Sequence, residues 1–411
     1  MSIPAYDPKS YSIFETRHHL ATACVGDNGL NDFETYATGY FEAARLLLAQ
    51  ATDPRKCLTL DTIVYPILFN LRHGVELSIK HVSRVLSEAK LPNPGATQNT
   101  HELEQLWADL TEQSKPDRRL IAAIEELEPA VLQMHEADPL AQEFRYAERN
   151  DGVPSFKGRH IVDLVTVLEL ADFTAERFEQ LFYRSRRIAS ERRYGSFTPE
   201  LNRDELEQLS KDLPDAHTWS DSTKFKEVKA DWTKRYRLSG NAFCRAIDFI
   251  KKHREFSANI GLRKPLVGLN GETLERLLSA SIQMLSEHWK EGQTLRAVFD
   301  RKDPVSTAIN STGIKLTKTL VAEVRALFYQ GRDGDFSEEY ETRFKSHDGY
   351  RADVSQQVLL SDFRHVFSKL NFAECLCEGL RQIGYPEFAA KFRPQVDAIK
   401  SGVPSIREAN L

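Results

Sequence analysis

The chain has 411 residues, of which 41% are hydrophobic, 28% charged and 10% aromatic, a balance that excludes collagen-like, disordered and disulfide-scaffold proteins. At about 150 residues per domain this length predicts two or three domains, each large enough to bury a core. With 55 Lys+Arg against 60 Asp+Glu the formal charge is -5, so no global positive field recruits a polyanion and any such contact must come from a local patch.

The cysteines Cys24, Cys57, Cys244, Cys375 and Cys377 form no C-x-x-C pair, which points to a reducing compartment and away from a zinc cage. Residues 1–32 lack a basic stretch followed by an apolar one, and no apolar run nears the ~18 residues that span a bilayer. A cytoplasmic protein with no membrane contact, no metal and no cofactor is expected.

Apolar residues recur at three and four positions almost throughout, and alternating β-branched runs are scarce, so the predicted fold class is all-α. A first helix is expected over 32–51, ended by Asp53-Pro54. The strongest follows over 63–86, with Val64, Ile67, Leu68, Leu71, Val75, Ile79, Val82 and Leu86 on one face and Pro66 at its first turn or at a kink. Pro92, Asn93, Pro94 and Gly95 mark a loop, after which Asn99 or Thr100 is placed to cap a third helix through Leu110. A fourth is expected over 116–134, an extended segment with a turn over 144–154, and a fifth helix over 158–187.

Gly195, Ser196 and Pro199 suggest a boundary, which divides the chain into a helical bundle over 1–195 and a second, irregular all-helical domain over 196–411. Beyond it, helices are expected over about 202–212, 224–235, 239–257, 271–290, 315–331, 336–346, 354–379 and 386–400, with Asn202 or Asp204 as the first cap. Cys375 and Cys377 fall in an apolar helix, where thiols two residues apart diverge and suit a core better than a metal.

The chemistry concentrates on the second helix. Arg72, Glu76 and Lys80 stand at i, i+4 and i+8 along one stripe, with His73 a quarter turn away. Arginine suits a phosphate, histidine moves protons near neutral pH, and a carboxylate fixes either. The alternative is a solvated i,i+4 salt-bridge ladder worth about 0.3–0.5 kcal/mol per pair. His101, at a helix N-terminus, can act as a neutral base or simply cap and pack against Trp107. Arg145, between Phe144 and Tyr146, suits phosphate or base contact, or an ordinary domain edge.

Two basic clusters are candidate nucleic-acid contacts: Arg184, Arg186 and Arg187 with Arg192 and Arg193, and Lys224, Lys226 and Lys229 interleaved with Phe225, Trp232 and Tyr236. Glu191, Glu227 and Asp231 dilute both, which leaves a solvated face as the competing explanation. No phosphate loop, G-x-G-x-x-G after a strand, G-x-S-x-G elbow or H-E-x-x-H occurs, so nucleotide hydrolysis, dinucleotide chemistry, esterase action and zincin proteolysis lack support.

The run 65–77, from Tyr65-Pro66 through Arg72-His73-Gly74 to Leu77, with Lys80, His101, Leu103, Leu106, Trp107, Phe144-Arg145-Tyr146 and Asp151-Gly152, resembles bacterial HEPN proteins over residues 30–190. That resemblance implies a compact helical bundle, a homodimer, RNA as partner, and a toxin-antitoxin or antiviral defence setting in which an antitoxin or another defence protein is a further partner. It also implies metal-independent RNA cleavage. The class nuclease motif is Arg, four to six residues, then His, and no Arg–His pair here has that spacing: Arg343 to His347 has three intervening residues, Arg245 to His253 seven and Arg72 to His81 eight. Two readings follow: a divergent ribonuclease site built from Arg72, His73, Glu76, Lys80, His101 and Arg145, with Arg72 on the phosphate and His73 or His101 in proton transfer; or a noncatalytic HEPN-like interaction module.

Overall fold

The computed structural model describes residues 23–28, 32–56, 59–91, 100–288, 304–334, 336–349 and 354–402. Among them the protein is all-α, with sixteen α-helices, two short 3-10 turns and no strand. The Pro92 to Asn99 loop and Cys57 lie outside the described residues. None of the described helices is long and apolar enough to cross a membrane. Two compact units divide at 189/190, inside the fifth helix.

The first unit holds α1 (Phe33–Ala51), α2 (Leu60–Glu88), α3 (Leu103–Ser114), α4 (Arg118–Ala137) and most of α5 (Leu164–Tyr194). Asp32 starts α1 by accepting the Thr35 amide at 2.7 Å, which satisfies one of the unpaired first-turn donors. The apolar face of α2 is buried from Ile67 to Leu86, against Ala37, Phe41, Ala44 and Leu48 of α1 and Leu103, Leu106 and Trp107 of α3. At Gly74 a Cβ would sit 3.0 Å from the Phe41 ring, so the absence of a side chain lets α1 approach α2. Pro66 lies inside α2 rather than at its start. The fifth helix begins at 164, not 158, because Asp163 accepts the Val165 amide and the Thr166 hydroxyl, a cap that the preceding exposed stretch 157–163 lacks. Residues 147–155 make the expected turn, closed by Arg149 N–H to Val153 O and Ser155 N–H to Ala147 O, both 2.9 Å.

The second unit contains α6 (Arg203–Asp212), α7 (Thr223–Arg235), α8 (Gly240–Lys252), α9 (Arg254–Asn259), α10 (Gly271–His288), α11 (Pro304–Ser311), α12 (Lys318–Asp333), α13 (Glu338–Asp348), α14 (Gln356–Phe367), α15 (Phe372–Gln382) and α16 (Pro386–Gly402). Asn202 and Glu205 form a reciprocal capping box on α6. The single helix expected over 239–257 is broken at His253, whose extended backbone and ring nitrogen cap α9 by accepting the Phe256 amide. The span 354–379 likewise contains a break, at 368–371, and α11 was not anticipated. Its two apolar clusters are a smaller one around Trp232 and Phe243 and a larger one around α12 and α15. The last two helices named cross at Gly331 and Gly379, where a Cβ would lie 1.8 Å from Cys375 O and 2.1 Å from Leu327 O. Both Cys375 and Cys377 are buried there, and burial pushes the Cys377 thiol up to about 11.

Candidate functional site

Arg72 is the hub of the first unit's polar residues. It is 1% exposed, yet each of its three nitrogens has an acceptor. Nε donates to Asp138 O at 2.9 Å, Nη1 to a Glu76 carboxylate oxygen at 3.0 Å and Nη2 to His101 O at 2.6 Å. One guanidinium therefore ties α2 to the start of α3 and the end of α4. A buried arginine is tolerable only with such pairing, since an unpaired charge in a low dielectric costs several kcal/mol.

Glu76, equally buried, receives Lys80 Nζ and His101 Nδ1 on one oxygen, both at 2.8 Å, while its other oxygen takes Arg72. Burial opposes its ionisation, but hydrogen bonds and charge from Lys80 and His101 outweigh that and hold the carboxyl below the ordinary range. An ionised carboxylate has no hydrogen to give, so His101 Nδ1 must be the donor. The His101 side chain is 59% exposed, and its Nε2 has no hydrogen-bond partner among the described residues.

His73 projects from the same helix but packs differently. Its half-buried ring stacks on Phe69, with centroids 5.5 Å apart, and meets Tyr40 edge-on at 4.6 Å. Burial lowers its pKa; Glu76 opposes that shift, and the positive charges of Arg72, Lys80 and Arg145 add to it. His73 is thus neutral at pH 7. Arg145 is exposed, folds its Nε onto Ala141 O and lies over the Tyr146 ring at 5.4 Å.

The fold brings Arg72, Glu76, Lys80 and His101 into one network, and the charge of Arg145 reaches His73. The stripe does not lie on a solvated edge; Lys80 is only 8% exposed. Asp138, which follows α4 and was not among the candidates, is a missing member. It is 1% exposed, lies 3.5 Å from Arg72 Nε, and its Oδ1 accepts the amides of Gln142 and Glu143 that lead into Arg145. Its only local signal was the Asp-Pro step.

The arginine cluster is dispersed. Arg184 donates to Arg119 O at 2.7 Å, Arg186 pairs with Glu34, and Arg187 sits over Tyr183 at 5.6 Å. Lys224, Lys226 and Lys229 are exposed on α7. Among the described residues no group of three His, Cys, Asp or Glu could hold a metal ion. Comparison with family models, with characterised proteins and with solved structures gave no match.

Proposed function

We propose that the first unit is an HEPN-like module that cleaves RNA without a metal. The observation that carries this reading is the pairing of an exposed imidazole, His101, with the buried carboxylate of Glu76, beside a second imidazole, His73, kept neutral. A carboxylate that fixes one ring nitrogen orients the other for proton transfer, an arrangement suited to general acid-base work.

In this reading His73 takes the proton of a 2′-hydroxyl as its oxygen attacks the adjacent phosphorus. His101, protonated and held by Glu76, gives its proton to the departing 5′-oxygen. The products are a 2′,3′-cyclic phosphate and a 5′-hydroxyl, and a proton passes from His73 back to His101 through solvent. Arg145 contacts the phosphate. Arg72, with all three nitrogens spent inside the protein, is a positioning residue that holds both the backbone and the partner of His101. A defence or toxin setting, a homodimer and a protein antitoxin belong to the same proposal and rest on the family resemblance; a cytoplasmic location belongs to it too and rests on the cysteine pattern.

A second reading, a noncatalytic interaction module, is favoured by a groove of about 640 Å³ between the start of α2 and residues 156–165, lined by exposed Tyr65, Ile161 and Val165. Incubating the chain with end-labelled total RNA and tRNA in EDTA separates the two. Discrete cleavage that falls about 10³-fold in His101→Ala and in His73→Ala is expected. Intact RNA, or cleavage equal in both variants and wild type, would overturn the ribonuclease reading.

A further inference from the structure

The second unit carries a surface where positive charge is segregated from negative. On α7, at 3.6 residues per turn, Lys226, Lys229 and Thr233 fall within a sector of about 60°. Glu227 and Asp231 project from the other flank, together with Lys224 and Arg235. The sequence alone shows a diluted cluster; the helix sorts it into an acid-free edge and a mixed one.

The basic edge continues onto α8. Lys229 Nζ lies 5.8 Å from the centre of the Phe243 ring, and Lys251 Nζ lies 5.0 Å from that of Trp219. Trp219 stacks on Phe225 at 5.0 Å, and Phe225 meets Phe243 at 6.2 Å. Both ammonium groups therefore border one aromatic cluster, and cation-π contact keeps their stems on the protein while their charge faces solvent. Trp219 is itself fixed by Nε1 donating to Pro214 O at 2.8 Å. Lys226, Lys229 and Lys251 are exposed, and none makes an ion pair among the described residues. The nearest acid along α8, Asp248, is exposed and unpaired with Lys251.

A bilayer fits this edge poorly, because a membrane-surface helix offers bulky apolar side chains to the lipid. Here they turn inward: Trp232 is 1% exposed, its Nε1 bonded to Asp212 at 2.9 Å. We infer that this edge binds the phosphate backbone of single-stranded RNA, with Lys226, Lys229 and Lys251 each neutralising a phosphate. The choice of RNA rests on the reading of the first unit; the surface itself does not.

The test uses the full chain and a fluorescent 2′-O-methyl oligoribonucleotide, which lacks the attacking hydroxyl and so reports binding whether or not the first unit cleaves. Anisotropy titrations over a range of salt compare wild type, His101→Ala, the edge variant (Lys226→Gln, Lys229→Gln, Lys251→Gln) and an equal-charge control on the mixed flank (Lys224→Gln, Lys234→Gln, Arg235→Gln). The edge variant is expected to bind about 30-fold more weakly and to lose about 2 from the log–log salt slope, at ~0.7 per single-strand phosphate. The control stays within about threefold of wild type, the spread expected when no phosphate contact is lost. Equal weakening by edge and control variants, or an unaffected edge variant, would overturn the assignment. So would edge-dependent binding to phosphatidylserine vesicles with RNA affinity unchanged. If His101→Ala cleaves normally while the edge result holds, the catalytic reading fails and this one stands.

Discussion

Each unit buries one arginine among carboxylates beside a histidine, and the two clusters end differently. In the second unit Arg203, 2% exposed, lies between the rings of Phe336 and Phe256, at 4.0 and 5.0 Å, and donates to Glu255 at 2.5 Å and to Glu338 at 3.2 Å. His253 there is enclosed: Nδ1 accepts the Phe256 amide, and Nε2 lies 3.0 Å from Glu338 in a side chain only 6% exposed. In the first unit the chain of contacts from Arg72 through Glu76 ends on an imidazole with one nitrogen bonded and the rest of the ring in solvent. A buried charge cluster is by itself weak evidence of function, since structural knots look alike. The open end is what distinguishes a site from a tie.

The largest expected effect breaks the closed cluster. Arg203→Ala leaves the partly buried Glu338 and Glu255 without this counter-charge and should cost about 3–5 kcal/mol, read as a lowered urea midpoint and faster amide exchange in α6, α9 and α13. RNA cleavage by the first unit should then persist wherever that unit remains folded. Arg72→Ala should cost a comparable amount, because Glu76 keeps Lys80 and His101 but the buried Asp138 carboxylate loses its counter-charge, and should remove activity by releasing the His101 backbone.

Acid should act on the same cluster. Burial opposes ionisation of Glu338, but His253 and Arg203 prevail and hold its pKa well below the ordinary 4.5. The unfolded chain therefore binds more protons than the folded one below about pH 4.5, and the stability that Glu338 supplies above that pH is lost as the pH falls. Thermal melts from pH 6 to 3 should show a falling Tm in wild type and a shallower fall in Glu338→Gln. A slope unchanged by that substitution would show that other carboxylates carry the acid response.

How far these clusters were legible in the sequence follows from which contacts are local. Arg72, Glu76 and Lys80 share one helix, so their spacing exposed them, but a helical wheel cannot show that His101 and Asp138, 29 and 66 residues away from Arg72, come down over the stripe and bury it. The Arg203 cluster draws on Glu255 and Glu338, 52 and 135 residues distant, and left no local trace beyond the Asn202 cap. His253 was hidden inside an apolar period that runs unbroken through 239–257, because its helix break depends on a ring nitrogen accepting a backbone amide, which no periodicity encodes. Arg184 and Arg186 looked like phosphate ligands by density of charge; the fold gives them Arg119 O and Glu34 instead.

The sharpest comparison comes from the smallest structural changes, the two histidines. His253→Ala removes the α9 cap and a Glu338 partner, and should cost about 1–2 kcal/mol in line with lost caps. Cleavage should be nearly unchanged. His101→Ala removes an exposed ring from a carboxylate that retains two cations, so its cost should stay below about 1 kcal/mol. Its activity should fall about 10³-fold, and His101→Gln, which can donate one hydrogen bond but cannot carry a proton, should not restore it. The pH profile adds an independent readout. Because burial lowers the His73 pKa beneath 6.5, activity should hold down to and below pH 6.5 on its acidic limb, and that limb should vanish in His73→Ala. If His101→Ala destabilised the protein as much as His253→Ala and left cleavage intact, the open end of the Arg72 cluster would be a tie like the other.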